Sequence, residues 1–377
     1  MKVSCLQENL AKGLSIVSRA VASRSTLPVL SNILLATDNS RLRLSATNLE
    51  MAITCWIGAK VEEEGSTTIP AKTFADIVGA LPSGQMDMAL TVRTQSLNVR
   101  GGAFNNDVKC IDAQEFPIIP QAELKDGIHL NVADLRETIE QVVFAAATDD
   151  ARPILTGVLV KVEGETVTFA ATDGFRLAVR TANLSSKVFE PVTAIIPARA
   201  LAELARVAGD QEEAAVMTLP PGRGQVIFHL RDVELVSQLI EGTFPDYQHI
   251  IPRSYKTRTV MSADAFRKAC KAADIFAREN AHTARFKITP GEEMTPGLLE
   301  INAQSAETGS NEARLDATVE GDALEIAFNV KFMADVLNVV DTPNVALETA
   351  TSTSPGLVRA VGRDDFLYVI MPMRLGR

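Results

Sequence analysis

The stretch Thr67-Thr68-Ile69-Pro70-Ala71-Lys72-Thr73-Phe74-Ala75-Asp76-Ile77 decides how this chain folds, because its plan recurs twice. The second occurrence is Ala194-Ile195-Ile196-Pro197-Ala198-Arg199-Ala200-Leu201-Ala202-Glu203-Leu204, and the third is Ile326-Ala327-Phe328-Asn329-Val330-Lys331-Phe332-Met333-Ala334-Asp335-Val336. Each is a short β-rich run feeding a helix whose apolar positions return at three- and four-residue spacing. Outward from these anchors, Leu27 to Leu35 is echoed by Arg152 to Val160, and Leu42 to Glu50 by Val167 to Phe175. Phe116-Pro117 with Pro120 is echoed by Phe244-Pro245 with Pro252. The offsets cluster at roughly 125 to 130 residues, which marks domain-sized duplication rather than a solenoid.

The 377 residues therefore divide into three domains, 1–120, 128–252 and 258–377, with linkers near 121–127 and 253–257. Each opens with an amphipathic helix, expected at about 7–21, 132–147 and 263–279. A second helix follows at about 71–81, 198–208 and 330–340, and short alternating strands such as Gln225 to Leu230 fill the rest. The fold class is α+β, with two helices on one side of antiparallel sheet in each copy. Tandem copies leave a free face at each end of the array, and a head-to-tail contact between such faces closes a ring if the rotation allows. It would also cover exposed sheet edges.

Composition narrows the function. The formal charge is −10, which argues against gripping nucleic acid by coating phosphates with Lys and Arg. Residues 1–120 balance at 11 basic and 11 acidic groups, while 121–256 and 257–377 carry the whole excess of acid. The helices are mostly less acidic than the remainder: Lys12 and Arg19 oppose Glu8, Arg199 and Arg206 oppose Glu203, and Arg267, Lys268, Lys271 and Arg278 oppose three acids. The helix at 132–147 goes the other way, with Asp134, Glu137 and Glu140 against Arg136. Charge counting leaves two readings open, an ordinary solvated helix face or a weakly basic lining that tolerates DNA without clamping it. No apolar run approaches the ~20 residues that cross a bilayer. Lys2 precedes an apolar stretch, but Glu8, Lys12 and Arg19 interrupt it, so it reads as an amphipathic helix of a cytoplasmic protein.

A search for catalytic chemistry finds no phosphate-binding glycine loop, zinc-protease helix or nucleophile elbow. Cys5, Cys55, Cys110 and Cys270 lack metal-ligand spacing, and the four histidines stand apart from any nucleophile. The pairs Asp149-Asp150 and Asp364-Asp365 invite a metal, but paired acids at loop positions are more often helix caps, turns or solvated surface. No cofactor, metal or enzymatic activity is expected. Two stretches stand out instead. Thr172-Asp173-Gly174-Phe175-Arg176-Leu177 sets a turn-forming Asp-Gly inside an apolar strand pair. The terminus Tyr368-Val369-Ile370-Met371-Pro372-Met373-Arg374-Leu375 carries two adaptable Met side chains around a Pro, suited either to a terminal core strand or to a surface where different partners dock.

These segments, with Thr26-Leu27-Pro28, Phe244-Pro245-Asp246-Tyr247 and Phe328-Asn329-Val330, resemble those of the bacterial sliding clamps, the β subunits of DNA polymerase III. The matches run in order along the whole chain. The resemblance implies three tandem clamp domains with helices inside and antiparallel sheets outside, dimerising into a closed ring around double-stranded DNA. It also implies a clamp loader, and a polymerase and other partners that insert a short peptide into a pocket. Carried over position by position, that pocket uses Leu155, Thr172, Gly174, Phe175, Arg176, Leu177, Pro245, Ile250, Val369, Ile370, Met371, Pro372, Met373, Arg374 and Leu375. Arg176 is expected to offer fixed donors to a peptide carbonyl or carboxylate. Arg24 and Arg199 are the DNA-facing candidates, and Val108 against Ile275 and Phe276 is the candidate dimer interface. There are departures. Phe175 stands where many clamps carry His, Gln248 and His249 where basic residues are frequent, and Asp149, Pro153 and Ile154 in a loop that reaches DNA in some relatives. The competing readings are a free-standing DNA-binding protein using its Arg-bearing helices, and a repeat-built peptide-binding scaffold.

Overall fold

A computed structural model of the chain describes residues 1–22, 24–121, 127–209, 211, 213–292 and 295–374. They pack as two compact units: Met1–Ala133 with Ala200–Leu239, and Asp134–Arg199 with Ile240–Arg377. The repeat and the packing thus divide the chain differently. The second copy of the repeat contributes its first strand and its later strands to one unit and the long hairpin between them to the other, and the reason lies in the sheets.

In the first unit, Lys60–Glu63, Lys2–Leu6, Gln85–Thr91, Ser96–Gly101 and Phe104–Lys109 make a five-stranded sheet in that order. An eight-stranded sheet runs Ile128–Leu130, Ala215–Thr218, Gln225–His229, Val233–Gln238, Met51–Gly58, Arg41–Thr47, Asn32–Asp38 and Ser66–Pro70. Its central ladder joins the first and second copies of the repeat directly, with Val233 opposite Cys55, Leu235 opposite Ile53 and Ser237 opposite Met51. Helix α1, Gln7–Val17, buries Leu10, Gly13, Leu14 and Val17, one stripe at helical spacing. Gly13 lets it come close to the sheet, since a Cβ there would lie 2.6 Å from Leu44 Cδ1. Helix α2, Ala71–Ala80, starts at Pro70 and buries Ala71, Phe74 and Val78.

The second unit takes up most of helix α3, Val132–Val142, and the first unit most of α4, Ala198–Val207. The second unit is built on a ten-stranded sheet ordered Gly157–Thr172, Arg176–Pro197, Phe366–Ile370, Gly356–Ala360, Asn344–Thr349, Thr257–Ser262, Gly309–Gly321, Gly297–Ser305, Thr283–Thr289 and Leu324–Asn329. Here the second and third copies of the repeat join, with Arg176 opposite Ile370 and Leu177 opposite Val369. Helix α5, Ala263–Ala277, is capped by Ser262, whose hydroxyl accepts from the Ala265 amide. Helix α6, Val330–Leu337, is capped by Asn329, whose Oδ1 accepts from the Phe332 amide at 3.1 Å. Phe266, Phe286 and Phe328 stack edge-to-face in the core below, with centroids 6.2 Å and 5.4 Å apart.

Each expected helix is present, but the three opening helices end earlier than their periodicity predicts. Ser18–Ala20, Val143–Ala145 and Arg278–Asn280 tighten into 3₁₀ turns, the common way for a helix end to use its last carbonyls.

Candidate functional site

The Asp-Gly turn of residues 172–177 is built by its own side chains. Thr172 Oγ1 donates to the Arg176 carbonyl at 2.6 Å and accepts from the Gly174 amide at 3.0 Å. Asp173 Oδ1 accepts from the Phe175 and Arg176 amides at 2.9 Å and 3.1 Å. The chain reverses at Gly174 with φ +91°, a left-handed conformation that favours glycine. Arg152 seals the turn from outside, donating to the Asp173 carbonyl at 2.6 Å while pairing with Asp149 at 3.1 Å. That pairing accounts for one half of the Asp149-Asp150 pair as surface chemistry.

Past the turn, Leu177 lies opposite Val369, and strand alternation puts both on one face. Ala170, Val179 and Leu357 join them in a buried apolar cluster, with Leu159, Tyr247, Ile251 and Leu367 packed against it. Above this shelf stand large apolar side chains left in water: Phe175 is 57% exposed, Ile250 44% and Met371 38%. Pro245 is exposed, and Leu155, Pro372 and Met373 are half-buried. Two backbone bonds pin the terminal segment: the Met371 amide donates to the Phe175 carbonyl at 2.9 Å and the Met373 amide to the Ala327 carbonyl at 2.8 Å. Leu375 lies outside the described residues.

Three placements expected from the sequence need correction. Ile370 is fully buried and alternates onto the face opposite Val369, so it packs in the core rather than on the shelf. All three guanidinium nitrogens of Arg176 are already engaged within the fold. Its Nε binds Asp173 at 3.0 Å, Nη1 binds Asp335 at 2.6 Å and Nη2 donates to the Phe144 carbonyl at 2.7 Å. Its guanidinium also lies 4.2 Å from the Phe332 ring centroid and 5.5 Å from that of Phe144. Arg176 therefore commits three of its five N–H donors to locking the turn to α6, which cuts back what it was expected to offer a peptide. Val108 is buried against its own sheet, whereas Phe104 on the same strand is exposed.

Further residues act that pattern reading missed. Arg152 was legible only as a residue before proline, and Leu357 belongs to the shelf solely because its strand neighbours Phe366–Ile370. A second anchor lies behind. Buried Arg180 is held by Asp365, with Glu137 3.6 Å away, and Arg363 reaches Glu137 and Asp341 at 2.7 Å each. Burial works against the Asp365 carboxylate, but hydrogen bonds from Arg363 and Arg180 outweigh it and hold its pKa below the ordinary value. Burial also pushes the Tyr368 phenol up, and its hydroxyl donates to the Phe332 carbonyl at 3.0 Å.

The remaining candidates are scattered. Arg24 and Arg199 are exposed, but Arg19 is paired with Glu203 at 3.1 Å, and Glu203 also binds Arg206. His249, in the departure from a basic rim, pairs with Asp246 at 3.0 Å. Ile275 is exposed and Phe276 half-buried at the end of α5. Among the described residues no group of three or more His, Cys, Asp or Glu is placed to hold a metal ion, and no helix is long and apolar enough to cross a membrane.

Comparison with known proteins agrees along the whole chain. Family models for the DNA polymerase III beta subunit match residues 1–120 as the N-terminal domain, 129–246 as the central domain and 248–374 as the C-terminal domain. The beta sliding clamp of Synechocystis sp. is 33% identical over 396 residues, covering 100% of both chains. That of Pseudomonas putida is 32% identical over 376 residues with the same coverage. Among solved structures, the DNA polymerase sliding clamp of Bacillus subtilis superposes with a TM-score of 0.93 at 28% identity, covering 100% of both chains. A Pseudomonas aeruginosa sliding clamp bound to griselimycin gives 0.91 at 31% identity with the same coverage. Three tandem α+β clamp domains, and kinship at this level over the full length, place this chain in the family of DNA polymerase III beta subunits, the beta sliding clamps.

Proposed function

We propose that this chain works as a non-catalytic ring: two copies join head to tail around duplex DNA, and the apolar shelf of the second unit receives short peptides from a replicative polymerase, a clamp loader and other partners. The observation that carries the peptide reading is the shelf beside Gly174. There Phe175, Ile250 and Met371 stay exposed above a buried apolar floor, on a turn that Arg176 and Arg152 hold rigid. A preorganised apolar shelf binds an extended peptide without the entropic cost of ordering itself. Micromolar affinity, about −8 kcal/mol, suits partners that must exchange.

Two sheet edges support the ring. Phe104–Lys109 ends the five-stranded sheet, with no further strand beyond it among the described residues. In the second unit, Gly309–Gly321 pairs with Gly297–Ser305 along residues 309–317, while its other side is met by Thr257–Ser262 only from Thr318 onward. Unpaired strand edges of this kind join copies readily. Net charge favours retention by topology, since an acidic protein of −10 has little electrostatic hold on phosphates.

The test is to load the protein onto nicked circular plasmid with a clamp loader and ATP, isolate the complex and linearise the DNA. Release on cutting, with retention on the uncut circle, is the expected result. Retention on both forms would mean direct affinity and overturn the ring.

A further inference from the structure

The turn that frames the shelf has a twin in the first unit. Thr47 Oγ1 donates to the Met51 carbonyl at 2.9 Å and accepts from the Leu49 amide at 3.0 Å. Asn48 Oδ1 accepts from the Glu50 and Met51 amides at 3.1 Å and 2.8 Å. Leu49 even holds φ +77°, a left-handed conformation otherwise suited to glycine, at the place where Gly174 holds +91°. Beside this turn Ala52, Ile227 and Val236 form a small buried apolar patch with Ile119 packed upon it.

The two faces then diverge in chemistry. In the second unit the neighbouring register line is Ala170, Val179 and Leu367. In the first unit the same line is Ser45, Thr54 and Glu234. These polar groups floor a cavity of about 680 Å³, roofed by Phe116, Ile119 and Pro120, with Arg43 and Trp56 on its wall. That volume lies within the ordinary range for ligand pockets. The floor groups are already engaged: Ser45 and Thr54 hydroxyls lie 3.0 Å apart, and Glu234 meets His229 Nδ1 at 3.2 Å. Arg43 is different. Its Nε is shielded from solvent and has no hydrogen-bond partner among the described residues.

We propose that this cavity is a second peptide-docking site, and that its occupant is an acidic linear peptide in which an apolar side chain precedes an Asp or Glu. The apolar side chain would lie under Phe116 and Ile119, and the carboxylate would accept from the Arg43 guanidinium. A shielded guanidinium N–H is costly to leave unbonded, and a carboxylate satisfies it with a charge-assisted bond. A basic side chain would be repelled by the same group. Two acids also line the cavity. Glu64 sits at the exposed rim, where water screens it, and Glu234 lies two strands away from Arg43, bonded to His229, so the peptide carboxylate is confined to the Arg43 end. The proposal extends the peptide-docking reading through the shared turn and rests on it to that extent.

Trp56 is the single tryptophan of the chain and lines this cavity, so its emission responds to binding here. The R43Q variant separates that response from binding in the cavity by Gly13 and Asp232 that Trp56 also lines. The full-length protein is titrated with the blocked peptides Ac-Leu-Leu-Asp-NH₂ and Ac-Leu-Leu-Asn-NH₂. The expected result is that the acid binds about tenfold more tightly than the amide, the effect of one charge-assisted bond. R43Q should bring the two to parity, and R43K should keep part of the preference, with unchanged thermal melting showing that both fold. Equal binding of acid and amide, no emission change with either, or an undiminished preference in R43Q overturns the proposal. A protein lacking residues 371–377 should keep the Trp56 response. Its loss there would assign the signal to the second unit and also overturn the proposal. A persistent Trp56 response beside a shelf that binds no peptide would instead sink the peptide role of the shelf and leave this one standing.

Discussion

Gly174 is where backbone conformation and site meet. Its φ of +91° is strained for a residue with a side chain, and an added Cβ would lie 3.1 Å from Arg152 Nη1. Gly174→Ala should therefore cost about 1–2 kcal/mol in backbone strain and push Arg152 off the Asp173 carbonyl. The expected outcome is a melting point a few degrees lower and peptide affinity reduced about tenfold, both read by calorimetry. An unchanged affinity would show that the turn does not shape the shelf. Asp365 carries a pH signature. Its folded pKa is depressed, so its contribution is whole above the ordinary Asp value of ~3.9 and is lost as pH falls through the folded value. D365N should flatten the acid limb of a stability–pH curve measured by urea unfolding. A limb as steep as the wild type's would rule this carboxylate out as its source. At this scale the sequence was legible for Thr172, Asp173 and Gly174, whose turn chemistry is local. The role of Arg176 was not, because its partners Asp335 and Phe144 are 159 and 32 positions away.

At the scale of elements, Arg176 ties the strand Arg176–Pro197 to α6 across a contact that burial makes expensive to break. Replacing it by Met leaves Asp335 and Asp173 facing a low-dielectric site without their counter-charge. The expected destabilisation is about 3–5 kcal/mol, with loss of peptide binding, seen as a lower urea midpoint. Adding D335N should recover part of the loss, and failure of that rescue would mean the ion pair is not the cause. The helices were readable from periodicity because their buried stripes are local, as in Leu10, Leu14 and Val17 of α1. Their ends were not, since the 3₁₀ turns at Ser18, Val143 and Arg278 depend on what the following chain packs against.

At the scale of the whole molecule, sheet edges decide assembly. Phe104 is exposed on the outermost strand of the five-stranded sheet. A Phe104→Asp substitution puts a charge where a second copy is proposed to dock, and should move the native mass from two chains to one with the melting point preserved. A variant still dimeric at micromolar concentration would move the interface elsewhere.

The duplication of Thr67 to Ile77, the α+β class, the six helices and the family resemblance were determined by the sequence alone, since repeats and apolar spacing are properties of neighbours along the chain. Only the tertiary structure decided that the second repeat is shared between two units. Ladders such as Val233 with Cys55 and Arg176 with Ile370 join strands far apart in sequence, and no periodicity encodes which edge meets which. The same ladders put Leu357 on the shelf, Ile370 behind it and Ser45, Thr54 and Glu234 under a cavity. Which face a side chain serves is fixed by the strand beside it, and that partner is chosen by packing across the whole sheet.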